Sequence, residues 1–522
     1  MRLYRDILSI GLLIATLAWT LWFVFAGFGN PQDPLYWLYK YEHLEGGWMA
    51  VGTLLTGGAL VRLFGAQLLP LRLAGWLCTV GAIILPYSCL LDKEQRKKNI
   101  HWLALAILLM GYGAFQEFSP GTLSVFLLSA LWVTSSKVES GKWKVESVCA
   151  VLLGVAVAVR LPNILALLVL IPLWKKRSLW NIPIAAVTAG LVYLLGYWFI
   201  TPAPLDAAMT SHDILPMITK LWTKGGLLVG YLLLAVGVLA VGRKRIRGLE
   251  GERIRGLVFL GLGVGLLLVY FLVMTTKATQ WYNTDLTYFI SAFCLVIAIT
   301  NYQLSINKYQ LPIGAAILIV ATLGTDTAWL KLFPAVLCLL PVAGAQMEEK
   351  LRKYVWWVLV PVVVLVMVRH STNSVGKTNL MKVQTISSIA PYRGIAITNA
   401  EEARLAQLKT DVDSIRGLED ERMRGLEVLA VGQDNHLMRA VTGCEAARYN
   451  EFWSNIFDSV YTAKYRPIIE EEKPIVFCAF SPQFKTKKEY KDRQSAFENM
   501  LREKGYREID RSKYKYAIFI PD

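Results

Sequence analysis

Histidine and cysteine are scarce in this sequence, with five and seven residues among 522. Neither type shows the paired spacing that a zinc site needs, so the sequence offers no Cys/His metal centre. Five of the cysteines lie inside apolar runs and are expected to pack there as small hydrophobic side chains. Cys444 and Cys478 lie near the C-terminal end, and their spacing leaves open whether they form a disulfide.

Ionisable residues are also rare within the long apolar runs, and polar residues gather at the ends of these runs. A coupled transporter usually carries ionisable groups deep in several spans, so this composition favours other functions. The chain has no Asn-x-Ser/Thr sequon. Because a large outer domain made in a secretory pathway often carries one, we expect a protein of the bacterial cytoplasmic (inner) membrane.

Apolar residues are abundant, at 55% of the chain, and the mean hydropathy is +0.42. Runs of about 18 or more such residues predict a polytopic α-helical membrane protein. The first run, Ile7 to Phe28, is too long for the core of a signal peptide, and we expect it to be a retained helix. The sequence predicts thirteen spans, at 6–28, 70–91, 101–117, 120–135, 147–160, 162–174, 179–199, 225–242, 257–274, 286–301, 310–324, 330–347 and 354–369.

Two apolar runs differ from a plain membrane span. The run 147–174 is interrupted by the sequence RLPN, whose proline disfavours helix at the preceding residue. A single span would place Arg160 in mid-bilayer at a cost of at least about 2.5 kcal/mol, so two short helices with Arg160 at their outer turn are predicted. The Gly-rich run 48–64 contains Arg62 near its end and is predicted to lie at the outer interface.

The net charge of +16 belongs mostly to residues 1–370, which hold 31 basic and 17 acidic residues. The predicted inner loops contain 22 of these basic residues, so the positive-inside rule places the N-terminus in the cytoplasm. An odd number of spans then places residues 371–522 outside, in the periplasm or extracellular space. Because the same rule explains the basic balance, no nucleic-acid partner is predicted.

Residues 371–522 differ in sequence pattern from the rest of the chain, because they lack the long apolar runs and contain short apolar and amphipathic segments. Four short apolar segments predict buried strands: GIAIT, EVLAVG, PIVFCAF and YAIFIPD. Two amphipathic segments predict helices: NAEEARLAQLKTDV and KEYKDRQSAFENMLREKG. The alternation predicts a small C-terminal extracytoplasmic α/β domain. The predicted domains are therefore a transmembrane domain, 1–370, with a first outer loop at 29–69, and the C-terminal domain, 371–522.

The first outer loop begins with the aromatic-rich stretch GFGNPQDPLYWLYKYEHLEGGW. Asp33 is a preferred helix N-cap and Pro34 is favoured at the first helical position, so a short helix is expected to start here. Its aromatic side chains are typical of a helix at headgroup level. A carboxylate held over a helix bundle can also act as general base on an acceptor hydroxyl, so Asp33 suits both roles.

Dispersed motifs of this chain resemble those of GT-C membrane glycosyltransferases. The acidic loop and short helix are followed by LVRLFG, with Leu63, Phe64 and Gly65, and by LPLRLAGWL, with Arg72 and Leu73. This order resembles the branch of protein O-mannosyltransferases and lipid A aminoarabinose transferases (glycosyltransferase family 39-like). The segment LLGVAVAVRLPNILALLVLIPLW resembles the short paired helices of that branch, and the tail looks like an outer domain often appended to bacterial members.

The resemblance implies transfer of a hexose or pentose from a polyprenyl-phosphate-linked donor to a glycan, lipid or protein acceptor on the outer face. Asp33 is then the candidate general base. Arg160 and Arg72 are the main candidates for binding the donor phosphate, because a guanidinium forms paired charge-assisted hydrogen bonds with phosphate. Lys40 and Arg62 are further candidates. For Arg72, a plain role as an interface anchor stays open.

Further candidates lie in other outer segments. Glu117 occupies a position where relatives often have a second acid, and it could hold the acceptor or a divalent metal ion. The same acid would suit the N-terminal flank of a helix starting near Pro120. Trp281, Tyr282 and Asp285 are candidates for binding the sugar or the acceptor, and aromatic interface belts use the same residue types. Apart from such a metal ion, no cofactor is predicted.

One departure from the family pattern keeps other functions open. Many relatives carry a second acid directly after the first, whereas this chain has Pro34 there. A catalytically inactive scaffold, or a polymerase or ligase of the same architecture, is therefore an alternative. A transporter or flippase for lipid-linked glycans is another, although a large outer α/β tail is unusual for a carrier.

Overall fold

The structure of the protein is a computed structural model. It describes residues 2–27, 33–46, 48–110, 118–137, 143–174, 179–202, 310–322, 328–346, 380–416, 428–432, 435–443, 445–446, 466–478, 488–509 and 516–522. The predicted spans at 225–242, 257–274, 286–301 and 354–369 lie outside these ranges.

The described part of residues 2–346 is mostly helical. Three segments are long and apolar enough to cross a membrane, Ile7–Phe25, Leu68–Leu90 and Asn181–Phe199, so the chain is an integral membrane protein. The helices are α1 (Arg2–Phe25), α2 (Asp33–His43), α3 (Val51–Phe64), α4 (Leu68–Leu90), α5 (Lys93–Leu109), α6 (Pro120–Ser135), α7 (Trp143–Val159), α8 (Leu167–Leu170), α9 (Asn181–Phe199), α10 (Gln310–Ile319) and α11 (Ala328–Ala345). Two short strands, β1 (Glu45–Gly46) and β2 (Thr201–Pro202), pair in parallel.

The helix α6 starts at Pro120, where the sequence predicts a span to begin. Its start is fixed by a capping box, in which Ser119 Oγ accepts the Thr122 N–H at 3.3 Å and Thr122 Oγ1 accepts the Ser119 N–H at 3.0 Å. Proline is favoured at the first helical position because its missing N–H has no partner there in any case. The capping box therefore fixes the start of α6 two residues after Phe118.

The predicted interruption at RLPN is confirmed. The helix α7 ends at Val159, and Arg160 is extended, with φ −158° and ψ 114°. The chain continues as a 3₁₀ turn, Leu161–Ala166, then α8, then a second 3₁₀ turn, Ile171–Leu173. The predicted helix 162–174 is thus a series of short turns. Proline near the start of each 3₁₀ turn removes a backbone donor, which prevents one continuous α-helix.

Two tryptophans lie at the centre of the helix bundle. Trp102 on α5 and Trp132 on α6 are both fully buried. Each faces a glycine of a neighbouring helix, since a methyl group on Gly344 of α11 or on Gly314 of α10 would overlap the indole ring. In the core, α5 therefore packs against α11 and α6 against α10, and each pair is more than 150 residues apart in the sequence.

Close packing between α2 and α3 gives a first prediction. A methyl group on Gly57 of α3 would overlap the Tyr41 ring of α2, whereas Gly190 of α9 has open space within 4 Å. We expect Gly57→Ala to lower stability by about 1–3 kcal/mol through overpacking. The matched control Gly190→Ala should gain up to about 1 kcal/mol from helix propensity. Thermal unfolding in detergent measures both, and equal midpoints for the two variants would contradict this packing.

We call residues 380–522 the C-terminal module. A five-stranded sheet lies at its centre. The strand order is β6–β5–β7–β9–β8, with β6, β5 and β7 parallel and β9 antiparallel to both neighbours. The strands are β5 (Val428–Val431), β6 (Glu445–Ala446), β7 (Ile475–Cys478), β8 (Tyr506–Glu508) and β9 (Ala517–Pro521). A separate antiparallel hairpin joins β3 (Thr385–Ile386) to β4 (Ala396–Ile397), and the helices are α12 (Asn399–Arg416), α13 (Asn435–Thr442) and α14 (Lys488–Glu503).

The C-terminal module packs against the end of the bundle at which α1 ends and α4 begins. The N–H of Gly27 donates to the Ala396 carbonyl at 2.8 Å, and the N–H of Leu68 donates to the Pro391 carbonyl at 3.0 Å. One apolar core runs from α2, α3 and α4 into the module. The first loop and the module therefore lie on the same side of the bundle. A domain boundary at 370 and an outward orientation of that side stay predictions.

Candidate functional site

The candidate general base lies at the start of α2. This helix comprises Asp33–His43, so Asp33 is its first residue, as the Asp-Pro pair predicts. The side chain of Asp33 lies outside the described part of the chain. Its backbone position is the end of a helix at which the macrodipole favours a negative charge. Pro34, the next residue, is buried.

One face of α2 is buried against the helix bundle. Leu35, Leu38 and Tyr41 belong to the apolar core that α2 shares with α3 and α4. The Tyr41 ring is almost fully buried, and its hydroxyl donates to the Phe118 carbonyl at 3.1 Å. A buried tyrosine needs such a partner for its polar end. The bond ties α2 to the chain segment that directly follows Glu117.

Arg72 joins three chain segments on this side of the bundle. It lies in the second turn of α4 and is 2% exposed. Its Nη1 donates to the carbonyl of Gly27, just past the end of α1, at 2.8 Å. The preceding residue, Leu71, accepts the N–H of Phe118 at 3.0 Å. We call this meeting point of Gly27, Arg72 and Phe118 the Arg72 junction.

The Arg72 junction brings Gly27 and Phe118 to one end of the bundle. Asp33 follows Gly27 by six residues, and six extended residues span at most about 20 Å. Glu117 directly precedes Phe118 and lies outside the described residues. Gly27 and Phe118 are far apart in the sequence, and the start of α4 binds both of them.

Arg160 is buried in the bundle, at the break between α7 and the turns that follow. It is 7% exposed, and its Nη1 donates to the carbonyl of Ala321, in the 3₁₀ turn after α10. Helix α3 packs over this break, because Thr53 Oγ1 donates to the Val159 carbonyl at 3.1 Å. The backbone at the break therefore packs against α3, the same helix that packs on α2 at Gly57, while the guanidinium binds the turn after α10.

Sequence reasoning missed Asn163, which lies beside Arg160 and is fully buried. Its Nδ2 donates to the Ala156 carbonyl at 2.8 Å and to Ser124 Oγ at 3.0 Å, and its N–H donates to the Arg160 carbonyl at 2.9 Å. Its Oδ1 has no hydrogen-bond partner in the described part of the chain. An amide inside an apolar run was the signal, and it offers an acceptor next to the arginine.

Lys40 lies on the other side of α2, towards α13. Its Nζ is 4.4 Å from the centre of the Tyr36 ring. The guanidinium of Arg439, on α13, stacks 3.6 Å from the Tyr39 ring and also contacts His43. Cation–π contacts of this kind stabilise an interface by about 0.5–2 kcal/mol. The structure therefore places Lys40 at a contact with the C-terminal module, on the side of α2 away from Tyr41.

His436 of α13 makes this contact sensitive to acid. It is 3% exposed and packs against the Tyr36 and Tyr39 rings. Burial, together with the smaller effects of the charges of Arg439 and Lys40, lowers the pKa of His436 from 6.5 to about 3. The folded protein therefore favours the neutral imidazole, and the unfolded chain binds the extra proton.

A second prediction follows from this shift. Because the folded pKa is below the unfolded one, the stability from neutral His436 is present above pH 6.5 and is lost as pH falls towards 3. We expect the melting temperature of the wild type to fall more between pH 7 and pH 4.5 than that of His436→Gln. The comparison cancels the titration of His43, which both proteins share. Parallel curves would contradict the role of His436.

Arg62 is an exposed residue near the C-terminal end of α3. The helix rises 1.5 Å per residue, so Arg62 lies about 13 Å along the axis from Thr53, which contacts the break at Arg160. The adjacent Leu63 and Phe64 are also exposed, at 76% and 58%. This end of α3 is thus apolar and basic, as expected for a helix at the membrane interface, and lies apart from Arg160.

The remaining candidates are not placed by the structure. Trp281, Tyr282 and Asp285 lie outside the described residues, as does Cys444. Among the described residues there is no group of three His, Cys, Asp or Glu side chains that could hold a metal ion. The described part of the site therefore consists of two buried arginines, a buried amide and the start of α2.

Comparison with known proteins adds a structural likeness. No protein-family model and no curated protein matches the sequence. The chain is similar in structure to ArnT from Cupriavidus metallidurans in the apo state, with a TM-score of 0.46 and 11% identity over 98% of this chain and 97% of that chain. It is also similar to ArnT from Cupriavidus metallidurans bound to undecaprenyl phosphate, with a TM-score of 0.42 and 10% identity over the same shares. At this level of similarity, the chemistry has to be derived from the residues of this chain.

Proposed function

We propose that this protein is a membrane glycosyltransferase. It moves a sugar from a polyprenyl-phosphate-linked donor to an acceptor on the outer face of the membrane, with Asp33 as general base. The observation that carries the proposal is the Arg72 junction, which holds Gly27, six residues before Asp33, and Phe118, the residue after Glu117, at one end of a helix bundle. Such a place suits a donor whose lipid lies in the membrane and whose sugar lies at its surface.

The proposed reaction forms one bond and breaks one bond. The acceptor hydroxyl attacks the anomeric carbon of the sugar, and its proton passes to the Asp33 carboxylate. The bond between the anomeric carbon and the phosphate oxygen breaks, and the polyprenyl phosphate leaves with the electron pair. The leaving group gains negative charge, so a fixed cation near the phosphate stabilises the transition state.

Arg160 is the residue that we assign to the donor phosphate. It is a buried cation at a helix break inside an apolar bundle, and a guanidinium suits phosphate through paired hydrogen bonds. Keeping such a charge inside a membrane bundle is costly, which favours a functional role over a purely structural one. The unpartnered Oδ1 of Asn163 next to it can accept a hydrogen bond from a sugar hydroxyl.

Arg72 has a positioning role in this proposal. Its guanidinium binds the Gly27 carbonyl and so holds the start of the loop that leads to Asp33. Glu117, Trp281, Tyr282 and Asp285 keep the roles expected from the sequence: Glu117 holds the acceptor or a divalent metal ion, and the other three bind the sugar or the acceptor. The protein acts in the bacterial cytoplasmic membrane, with its N-terminus inside and residues 371–522 outside.

Purified protein in liposomes tests the function directly. Undecaprenyl-phosphate sugars with a radioactive hexose or pentose are supplied as donors, together with membrane lipid, glycan or peptide acceptors. We expect labelled acceptor and free undecaprenyl phosphate in equal amounts. Movement of intact donor across the bilayer without cleavage would instead show a flippase. Failure of all donors, while undecaprenyl phosphate still binds, would favour an inactive scaffold.

A further inference from the structure

The hairpin of β3 and β4, and the 3₁₀ turn that precedes it, each carry one large apolar side chain that is exposed. Met381 and Ile386 are 76% and 71% exposed. They are the large hydrophobic residues exposed in the described part of the C-terminal module, and the other such residues lie in the helix bundle. Single exposed apolar residues are common, so the position of these two relative to the membrane decides what they indicate.

The hairpin is joined directly to the end of a membrane span. Ala396 of β4 forms a parallel bridge with Ala26, the residue after α1, and the Gly27 N–H donates to the Ala396 carbonyl at 2.8 Å. Behind this bridge, Val383 and Ala396 pack against Phe23 and Ala26 in one apolar cluster. The hairpin therefore has a fixed position relative to α1.

The strand register shows how far Ile386 lies from that span. Ile386 pairs with Ala396, and Ala396 pairs with Ala26, so the three residues lie side by side. Neighbouring strands are about 4.8 Å apart, which places Ile386 about 10 Å to the side of Ala26. The last turn of α1 carries Trp22 and Phe25, which are 51% and 41% exposed. Ile386 thus lies close to the end of a helix whose last turn already exposes apolar side chains.

The positive charge near these apolar residues is consistent with contact to a lipid surface. Lys382 is exposed, and it lies next to Met381 in the 3₁₀ turn Leu380–Lys382. Tryptophan, apolar side chains and lysine are residues found where protein meets lipid headgroups. Basic side chains at this level are attracted to anionic lipids.

We propose that Met381, Lys382 and Ile386 form a membrane-binding corner, by which the C-terminal module rests on the lipid surface beside α1. The apolar side chains enter the boundary between headgroups and acyl chains, and Lys382 binds a lipid phosphate. The inference needs α1 to be a membrane span and is independent of glycosyl transfer. The C-terminal module is then attached to the membrane at this corner, in addition to its packing on the helix bundle. The corner lies close to Gly27, six residues before Asp33.

A fluorophore at residue 386 tests the contact. The full-length variant Ile386→Cys is labelled with a polarity-sensitive dye in a Cys89→Ser background, because Cys89 is exposed. The control is Glu503→Cys, an exposed position at the end of α14. Both proteins are placed in vesicles of phosphatidylcholine and phosphatidylglycerol that contain nitroxide lipids, and iodide serves as the aqueous quencher.

We expect blue-shifted emission at residue 386, several-fold weaker quenching by iodide than at residue 503, and strong quenching by lipids with the nitroxide near the ester group. Replacing Lys382 by glutamine should reduce the effect of phosphatidylglycerol on the emission. Equal iodide quenching at both positions would overturn the proposal. Protection from iodide without quenching by nitroxide lipids would also overturn it, since a protein would then cover the corner. Thermal unfolding of the labelled variants shows that they are folded.

Discussion

Replacement of Asp33 by asparagine is expected to lower the rate of sugar transfer by about 10²–10⁴-fold, the usual contribution of a general base. Asparagine keeps the size of the side chain and remains a good N-cap, so α2 should still start at this residue. It cannot take the acceptor proton. The rate of transfer from a polyprenyl-phosphate sugar should therefore fall, while the KM for the donor changes little because binding is unaffected.

The matched control is Glu42→Gln. Glu42 is an exposed carboxylate on the same helix, so the change removes the same charge from α2 without touching the Arg72 junction. We expect its activity to stay close to the wild type. Asp33→Glu should retain part of the activity, since the base is present but displaced by one methylene. If Asp33→Asn and Glu42→Gln had equal activity, Asp33 would be a helix cap and no base.

The sequence predicted the elements that carry a strong local signal. The Asp-Pro start of α2, the Pro120 start of α6 and the break before Pro162 all appear at the expected residues, because proline and capping residues act locally. In the C-terminal module, the four predicted apolar segments contain β4, β5, β7 and β9. The strands β3, β6 and β8 were missed because they are two or three residues long and lack an apolar run.

The contacts of the candidate site depend on tertiary packing, which a single sequence does not show. Nothing in the sequence indicates that Arg72 binds the Gly27 carbonyl, or that Phe118 joins both Leu71 and Tyr41. The family resemblance makes Lys40 a candidate phosphate ligand, and the structure adds that its Nζ lies over the Tyr36 ring. The sequence shows the types of these residues, but the partners of Arg72 and Phe118 come from elements distant in the chain.

Loss of the charge at position 160 is the second large effect that we expect. A hydrogen bond to a charged group contributes about 1.5–3 kcal/mol, so Arg160→Gln should weaken the binding of undecaprenyl phosphate by about 10–100-fold. The transfer rate should fall as well, because the leaving phosphate gains charge in the transition state. Equilibrium binding of labelled undecaprenyl phosphate in nanodiscs measures the first effect, and the transfer assay measures the second.

The rival explanation for Arg160 is structural, since its guanidinium also holds the Ala321 carbonyl. The variants separate the two roles. Arg160→Lys keeps the charge, so it should retain part of the phosphate binding even if the bond to Ala321 is lost. Arg160→Gln can keep a bond to the carbonyl but has no charge. If glutamine preserved phosphate binding, or if both variants lost only thermal stability, Arg160 would brace the break after α7 and the donor phosphate would lie elsewhere.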